Sequence, residues 1–135
     1  MSGEEEKAKA AAAAGDDGAP KVTLFDKIVA KEVPATVVYE DDEALAFRDI
    51  SPQAPTHILV IPKDRQGLTH LHKATAEHKA LLGHLMVVAS TVAKQEGLDK
   101  DGFRVVVNDG AQGCQSVFHL HLHILGGRQM KWPPG

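Results

Sequence analysis

Phe118-His119-Leu120-His121-Leu122-His123-Ile124-Leu125 alternates imidazoles with large aliphatic side chains. Polar and apolar residues exchanging with period two mark a β-strand with two unlike faces. His119, His121 and His123 therefore share one face, and Leu120, Leu122 and Ile124 share the other. Eight residues that end one position short of this stretch, Asp109-Gly110-Ala111-Gln112-Gly113-Cys114-Gln115-Ser116, are small, polar and glycine-rich. They follow another strand-like run, Phe103 to Asn108. A connection this short predicts antiparallel neighbours, because a parallel return needs a longer crossover.

Further upstream, Leu81, Leu82, Leu85, Met86, Ala89, Val92 and Ala93 recur at helical spacing, which predicts one long helix over about Ala76 to Glu96, capped by Thr75 and stopped at Gly97 or Asp101-Gly102. Thr56 to Ile61 is apolar on both faces apart from His57, as in a central strand, and Pro62 closes it. Thr36 to Glu40 and Ala44 to Asp49 read as a hairpin around Asp41-Asp42-Glu43. Thr23 and Asp26 stand at capping-box spacing before a short helix that Pro34 ends. Residues 1–20 combine acidic side chains, an alanine run and Gly15-Asp16-Asp17-Gly18, and predict a disordered tail. The expected architecture is α+β: a tail over 1–20, then one domain over 21–135 with about five antiparallel strands, one long helix and one short one.

Composition narrows the function. The 135-residue chain is 43% hydrophobic and 24% charged, ordinary for a globular domain. Its net charge of −3 belongs to residues 1–20, while residues 21–135 carry thirteen charges of each sign. No basic footprint for nucleic acid or an anionic membrane follows from that balance. The N-terminus lacks the apolar core of a secretory signal, and the single Cys114 excludes an internal disulfide, so a cytoplasmic or nuclear location is expected.

Three imidazoles on one strand face admit several uses. Positions i and i+2 lie about 6.6 Å apart and i and i+4 about 13 Å, whereas zinc takes nitrogens at about 2 Å. Two neighbours could share a metal, but all three could not without a bend, and no metal site or cofactor is expected. His70, His72, His78 and His84 read as solvated surface imidazoles. Three satisfied core histidines would place many donors and acceptors in low dielectric for little gain. The third use is nucleophilic: imidazole attacks phosphorus at neutral pH if its other nitrogen is held as N–H. The middle ring, His121, has a neighbour on each side and suits that role. Amides of the preceding loop, around Gly113, Cys114, Gln115 and Ser116, can meet a phosphoryl oxygen there.

These residues match a known pattern. His119-Leu120-His121-Leu122-His123-Ile124-Leu125 resembles the signature of the histidine triad family. The resemblance extends through Asp49-Ile50-Ser51-Pro52-Gln53-Ala54-Pro55-Thr56-His57, Leu82-Gly83-His84-Leu85-Met86, Val106-Val107-Asn108 and Gly126-Gly127-Arg128-Gln129-Met130. The ending Trp132-Pro133-Pro134-Gly135 resembles one branch, the histidine triad nucleotide-binding proteins, formerly described as protein kinase C inhibitors. That resemblance implies a homodimer joining two five-stranded sheets, and hydrolysis of purine nucleoside phosphoramidates and aminoacyl adenylates through a nucleotidyl-histidine. By position it implies His121 as nucleophile, supported by His57, His119 and His123. Ser116 and Asn108 resemble the residues at the phosphate and leaving group, and Asp49 and Ile50 those at the ribose. Phe25, Ile28, Val33, Phe47 and Leu59 resemble the lining of the base pocket, and Trp132 the residue reaching across the dimer. Arg48 and Cys114 depart from the pattern. Two alternatives accompany this reading: a nucleotide-binding scaffold with incidental turnover, and a dinucleoside polyphosphate hydrolase.

Overall fold

A computed structural model describes residues 3–13 and 22–135. The first helix, α1 (Gly3–Ala13), falls within the stretch expected to be a disordered tail. Ala8 is fully buried, so a tertiary contact supplies what a short isolated helix lacks. The expected boundary between tail and domain, at residues 20 and 21, lies outside the described residues. The second helix, α2 (Leu24–Val29), begins with the predicted capping box: the Thr23 hydroxyl accepts from the Asp26 amide at 3.4 Å, and Asp26 accepts from the Thr23 amide at 2.8 Å.

Strands β1 (Val37–Glu40) and β2 (Ala44–Arg48) form the hairpin. Asp41 closes its turn by accepting from the amides of Glu43 and Ala44 at 2.8 and 2.7 Å. They are followed by β3 (Thr56–Pro62), the long helix α3 (Lys79–Gln95), β4 (Phe103–Val106) and β5 (Leu122–Gly126). The sheet has the order β1-β2-β3-β5-β4 with every neighbouring pair antiparallel. Thr75 does act as a cap, but of a single 3₁₀ turn at Ala76–His78, in which His78 Nδ1 accepts from the Thr75 amide at 3.0 Å. The α-helix proper therefore starts at Lys79, three residues later than expected.

Alternation along the strands sorts the core into two. Ala44, Ala46, Ile58, Val60, Leu122 and Ile124 face Leu81, Leu85, Val88 and Val92 of α3. Leu45, Phe47, Leu59 and Ile61 face the opposite way, against Phe25 and Ile28 of α2. Each core is closed by one helix.

The histidine stretch departs from the expected strand. Only Leu122 onward pairs in the sheet, Leu122 opposite Val60, so His119 and His121 precede β5. The edge they would need is gone: past Val60, β3 runs into Pro62, which has no amide hydrogen, and the Leu120 amide bonds instead to the Leu68 carbonyl at 2.9 Å. The alternation nevertheless persists, with Leu120 buried in the α3 core.

Several other histidines are less exposed than expected. His70 is buried, with its ring 4.7 Å from that of Phe118. His84 Nε2 lies 2.7 Å from Asp41. Burial alone would raise the Asp41 carboxyl, but the Tyr39 hydroxyl, the two turn amides and His84 hold it at about 2. His72 remains largely exposed, yet its ring and amide both reach Asp109 at 2.8 Å.

Candidate active site

The site lies on the α2 side of the sheet, where α2 stops short and leaves a cavity of about 700 Å³. Phe25, Ile28, Val33, Phe47 and Leu59 form its apolar wall. Asp49, Ile50, His57, Asn108, Cys114, Ser116, His121 and His123 line the same space. Phe25 braces the reactive end, its ring meeting those of Phe47, His119 and His121 edge-on with centroids 5.5, 5.8 and 5.0 Å away. Helix α1 adds a wall unforeseen in the sequence, through Glu4, Lys7, Ala10 and Ala11. Only its small side chains hint at close approach.

Backbone partners decide the tautomers. Gln53 donates its amide hydrogen to His57 Nδ1 at 3.0 Å, so the His57 hydrogen sits on Nε2. That N–H points at His123 Nδ1, 2.9 Å away, which leaves the His123 hydrogen on Nε2. His123 Nε2 has no hydrogen-bond partner among the described residues. His121 runs the other way round. Its Nδ1 donates to the His119 carbonyl at 2.7 Å, so Nε2 keeps a free lone pair. With the His121 and His123 ring centroids 4.9 Å apart, a bare imidazole nitrogen and an N–H donor stand on neighbouring rings.

Electrostatics keep these rings neutral. Burial lowers the pKa of His57 against the raising influence of Asp49, whose Oδ2 lies 3.5 Å away. Burial likewise lowers His119 and His121. His123 is pushed down to about 3, by burial first and then by its neighbours His121 and His57. A neutral imidazole is the form that attacks.

The loop before the triad is tied to itself more than expected. Gln115 is buried; its amide donates to the carbonyls of Thr69 and Val117 at 2.7 and 3.1 Å and accepts from the Gly110 amide at 2.9 Å. The Cys114 and Gln115 amides bond to the Ala111 and Gly110 carbonyls. A side chain at Gly113 would stand 2.5 Å from the Asp109 carbonyl, so only glycine lets the turn close. Cys114 takes a left-handed φ of 64°, a conformation suited to glycine. The amides of Gly110, Cys114 and Gln115 thus hold the loop's own shape, and of the four loop residues expected around a phosphate only Cys114 and Ser116 line the cavity. Gly113, Gln115 and His119 do not line the cavity, although the sequence placed them at the site. Gln115 and His119 sit behind it; Trp132, which the resemblance places across a dimer, is 83% exposed on this single chain.

Asp49, His57 and His123 bring one donor atom each within 4.8 Å of one another. Two imidazoles and a carboxylate are donors that zinc accepts, but His57 and His123 already bond to each other, and a cation would have to open that bond. The set combines one triad member with two residues from around β3, an assembly that spacing within the triad does not suggest.

Comparison with known proteins places this geometry. The model of the HIT domain matches residues 30–130. The chain is 67% identical over 113 residues to a "14 kDa zinc-binding protein" of Zea mays, covering 84% of this chain and 88% of that one. It is 61% identical over 127 residues to "Adenylylsulfatase HINT1" of Arabidopsis thaliana, covering 94% of this chain and 84% of the relative. A crystal structure of a HIT family hydrolase from Legionella pneumophila superposes with a TM-score of 0.81 at 49% identity, covering 84% of this chain and 100% of that one. The His-bearing stretch, the antiparallel sheet and these likenesses agree: the chain belongs to the HIT domain family, in its histidine triad nucleotide-binding branch.

Proposed function

We propose that this protein is a hydrolase of purine nucleoside 5′-phosphoramidates and aminoacyl adenylates, acting through a nucleotide covalently held on His121. The carrying observation is the bare Nε2 of His121, with Nδ1 fixed on the His119 carbonyl and the ring at the wall of a cavity with an apolar end and a carboxylate, Asp49. The apolar wall suits a flat base and Asp49 suits ribose hydroxyls. His121 Nε2 forms a bond to phosphorus as the phosphorus–nitrogen or phosphorus–oxygen bond to the leaving group breaks. The His123 N–H and the Ser116 hydroxyl face the phosphoryl group and its leaving atom. Water then attacks phosphorus, its proton balancing that taken by the departing amine or acid, and His121 is released with the nucleoside monophosphate. The name of the Arabidopsis relative supports a sulfate leaving group as a second substrate, adenylyl sulfate, cleaved by the same two steps. In this reading the protein works as a homodimer in the cytoplasm and nucleus, with Trp132 of each subunit near the other's leaving-group site.

Trapping decides between a covalent and a direct route. Wild-type protein mixed with adenosine 5′-phosphoramidate or adenylyl sulfate and quenched within a turnover should gain the mass of an adenylyl group, mapped to the His121 peptide. Turnover without any adduct under these conditions would refute the covalent step.

A further inference from the structure

His119 is the triad histidine whose ring stays out of the cavity. It is fully buried, and its Nε2 lies 2.8 Å from the Pro62 carbonyl, so that nitrogen carries a hydrogen. Its Nδ1 is buried with no hydrogen-bond partner among the described residues, and it faces Asp26 Oδ1 at 3.6 Å. A lone pair against a carboxylate at that distance is repelled. A proton on Nδ1 reverses the sign and leaves the ring held at both nitrogens.

Asp26 serves the α2 cap with its other oxygen. Oδ2 accepts from the Thr23 amide at 2.8 Å and lies 3.8 Å from Arg65 Nη2. Arg65 Nη1 donates in turn to the Phe118 carbonyl at 2.7 Å. Arg65 therefore grips the chain at the Phe118 carbonyl, while Asp26, beside Arg65, faces the His119 ring on the other side of the same peptide unit. The next carbonyl along, that of His119, is the acceptor orienting His121.

We propose that Asp26 is a positioning residue for the reaction at His121: by holding Arg65 on the Phe118 carbonyl it keeps the next carbonyl, that of His119, on His121 Nδ1, and by facing His119 Nδ1 it makes His119 the group whose protonation ends turnover at acid pH. The groups facing His119 are Asp26 from α2, Arg65 from the loop after β3, and His121 from its own segment, with the Phe25 ring edge-on. Burial lowers the His119 pKa and Asp26 opposes it, so removing the carboxylate lets the pKa fall further. A cation at His119 withdraws electron density from His121 and blunts the nucleophile.

The clamp rests on the proposed reaction, and Asp26→Asn tests it beside Thr23→Ala, which removes the other half of the cap and leaves the carboxylate by His119. Asp26→Asn should lower kcat about tenfold, the scale expected when reacting groups lose alignment, with KM within about twofold. It should also move the acid limb of the kcat profile to lower pH, and nitrogen-15 NMR should show the His119 midpoint falling. Thr23→Ala should lose comparable thermal stability while keeping kcat, the limb and the midpoint. Wild-type kcat and limb in Asp26→Asn, or the same losses in Thr23→Ala, would reduce Asp26 to a helix cap and overturn the proposal. If the wild type releases no nucleotide, the reaction is wrong, and the NMR midpoint still decides the Asp26 contact: unchanged in Asp26→Asn, it overturns that too.

Discussion

One sheet presents two faces built by opposite rules. Against α3, aliphatic side chains from β2, β3 and β5 meet Leu81, Leu85, Val88 and Val92, and stability comes from apolar area removed from water. Against α2, the same strands carry His57 and His123, whose rings are neutral and linked by the His57 Nε2 hydrogen on His123 Nδ1. The α3 face tolerates exchange of one hydrophobe for another of like volume. The α2 face does not, because each ring's tautomer is set by one fixed hydrogen-bond partner. Stability and chemistry are thereby separated by the thickness of a sheet, and a change on one face should leave the other's property nearly intact.

Three experiments would sharpen or break that separation. His121→Gly carries the largest effect: release of nucleoside monophosphate should drop by at least about 10⁴-fold, as on loss of a covalent nucleophile, with the unfolding midpoint little changed. Retained turnover would mean that the bare Nε2 is not the attacking atom. On the other face, Leu85→Ala should cost about 3 kcal/mol by denaturant titration, since Leu85 is fully buried under the sheet. Its kcat, measured where the variant is folded, should match the wild type, and a parallel fall in kcat would show that the faces are coupled.

The smallest effect is a slope with pH. His57, His119, His121 and His123 are all held below the ordinary histidine value by burial, His123 at about 3. In the unfolded chain each returns to about 6.5. Between those values the unfolded state binds protons that the folded state refuses, so stability is full above about pH 7 and falls as the pH drops below about 6.5. Each ring contributes up to about 1.4 kcal/mol per pH unit in that window. His123→Gln should flatten the slope by about one ring's share between pH 6 and pH 4, and an unchanged slope would show that His123 protonates in the folded state.

Much of this was legible along the chain. The capping box of α2, the hairpin, the long amphipathic helix and the inward leucines of the triad all follow from spacings of two to four residues, where local geometry dictates the pattern. The same alternation put His119, His121 and His123 on one side even where the strand itself had ended. Other features depend on residues far apart in sequence. His57 and His123 are 66 positions apart, and the His57 N–H sets the tautomer of His123. Gln115 staples its loop to Thr69, 46 positions away, and so acts behind the cavity it was expected to line.

The sequence by itself determined which residues could meet, by fixing faces and element ends through hydrogen-bond periodicity and side-chain size. Only the tertiary structure decided which nitrogen of each histidine carries its hydrogen, that Asp26 faces His119, and that α1 walls the cavity. Those outcomes depend on distances across the sheet of a few ångströms, and hydrogen bonds and charge pairs are settled at that scale. The three imidazoles are equivalent as a pattern. In the folded protein His121 keeps a bare Nε2, His123 carries its hydrogen on Nε2, and His119 is buried behind the cavity.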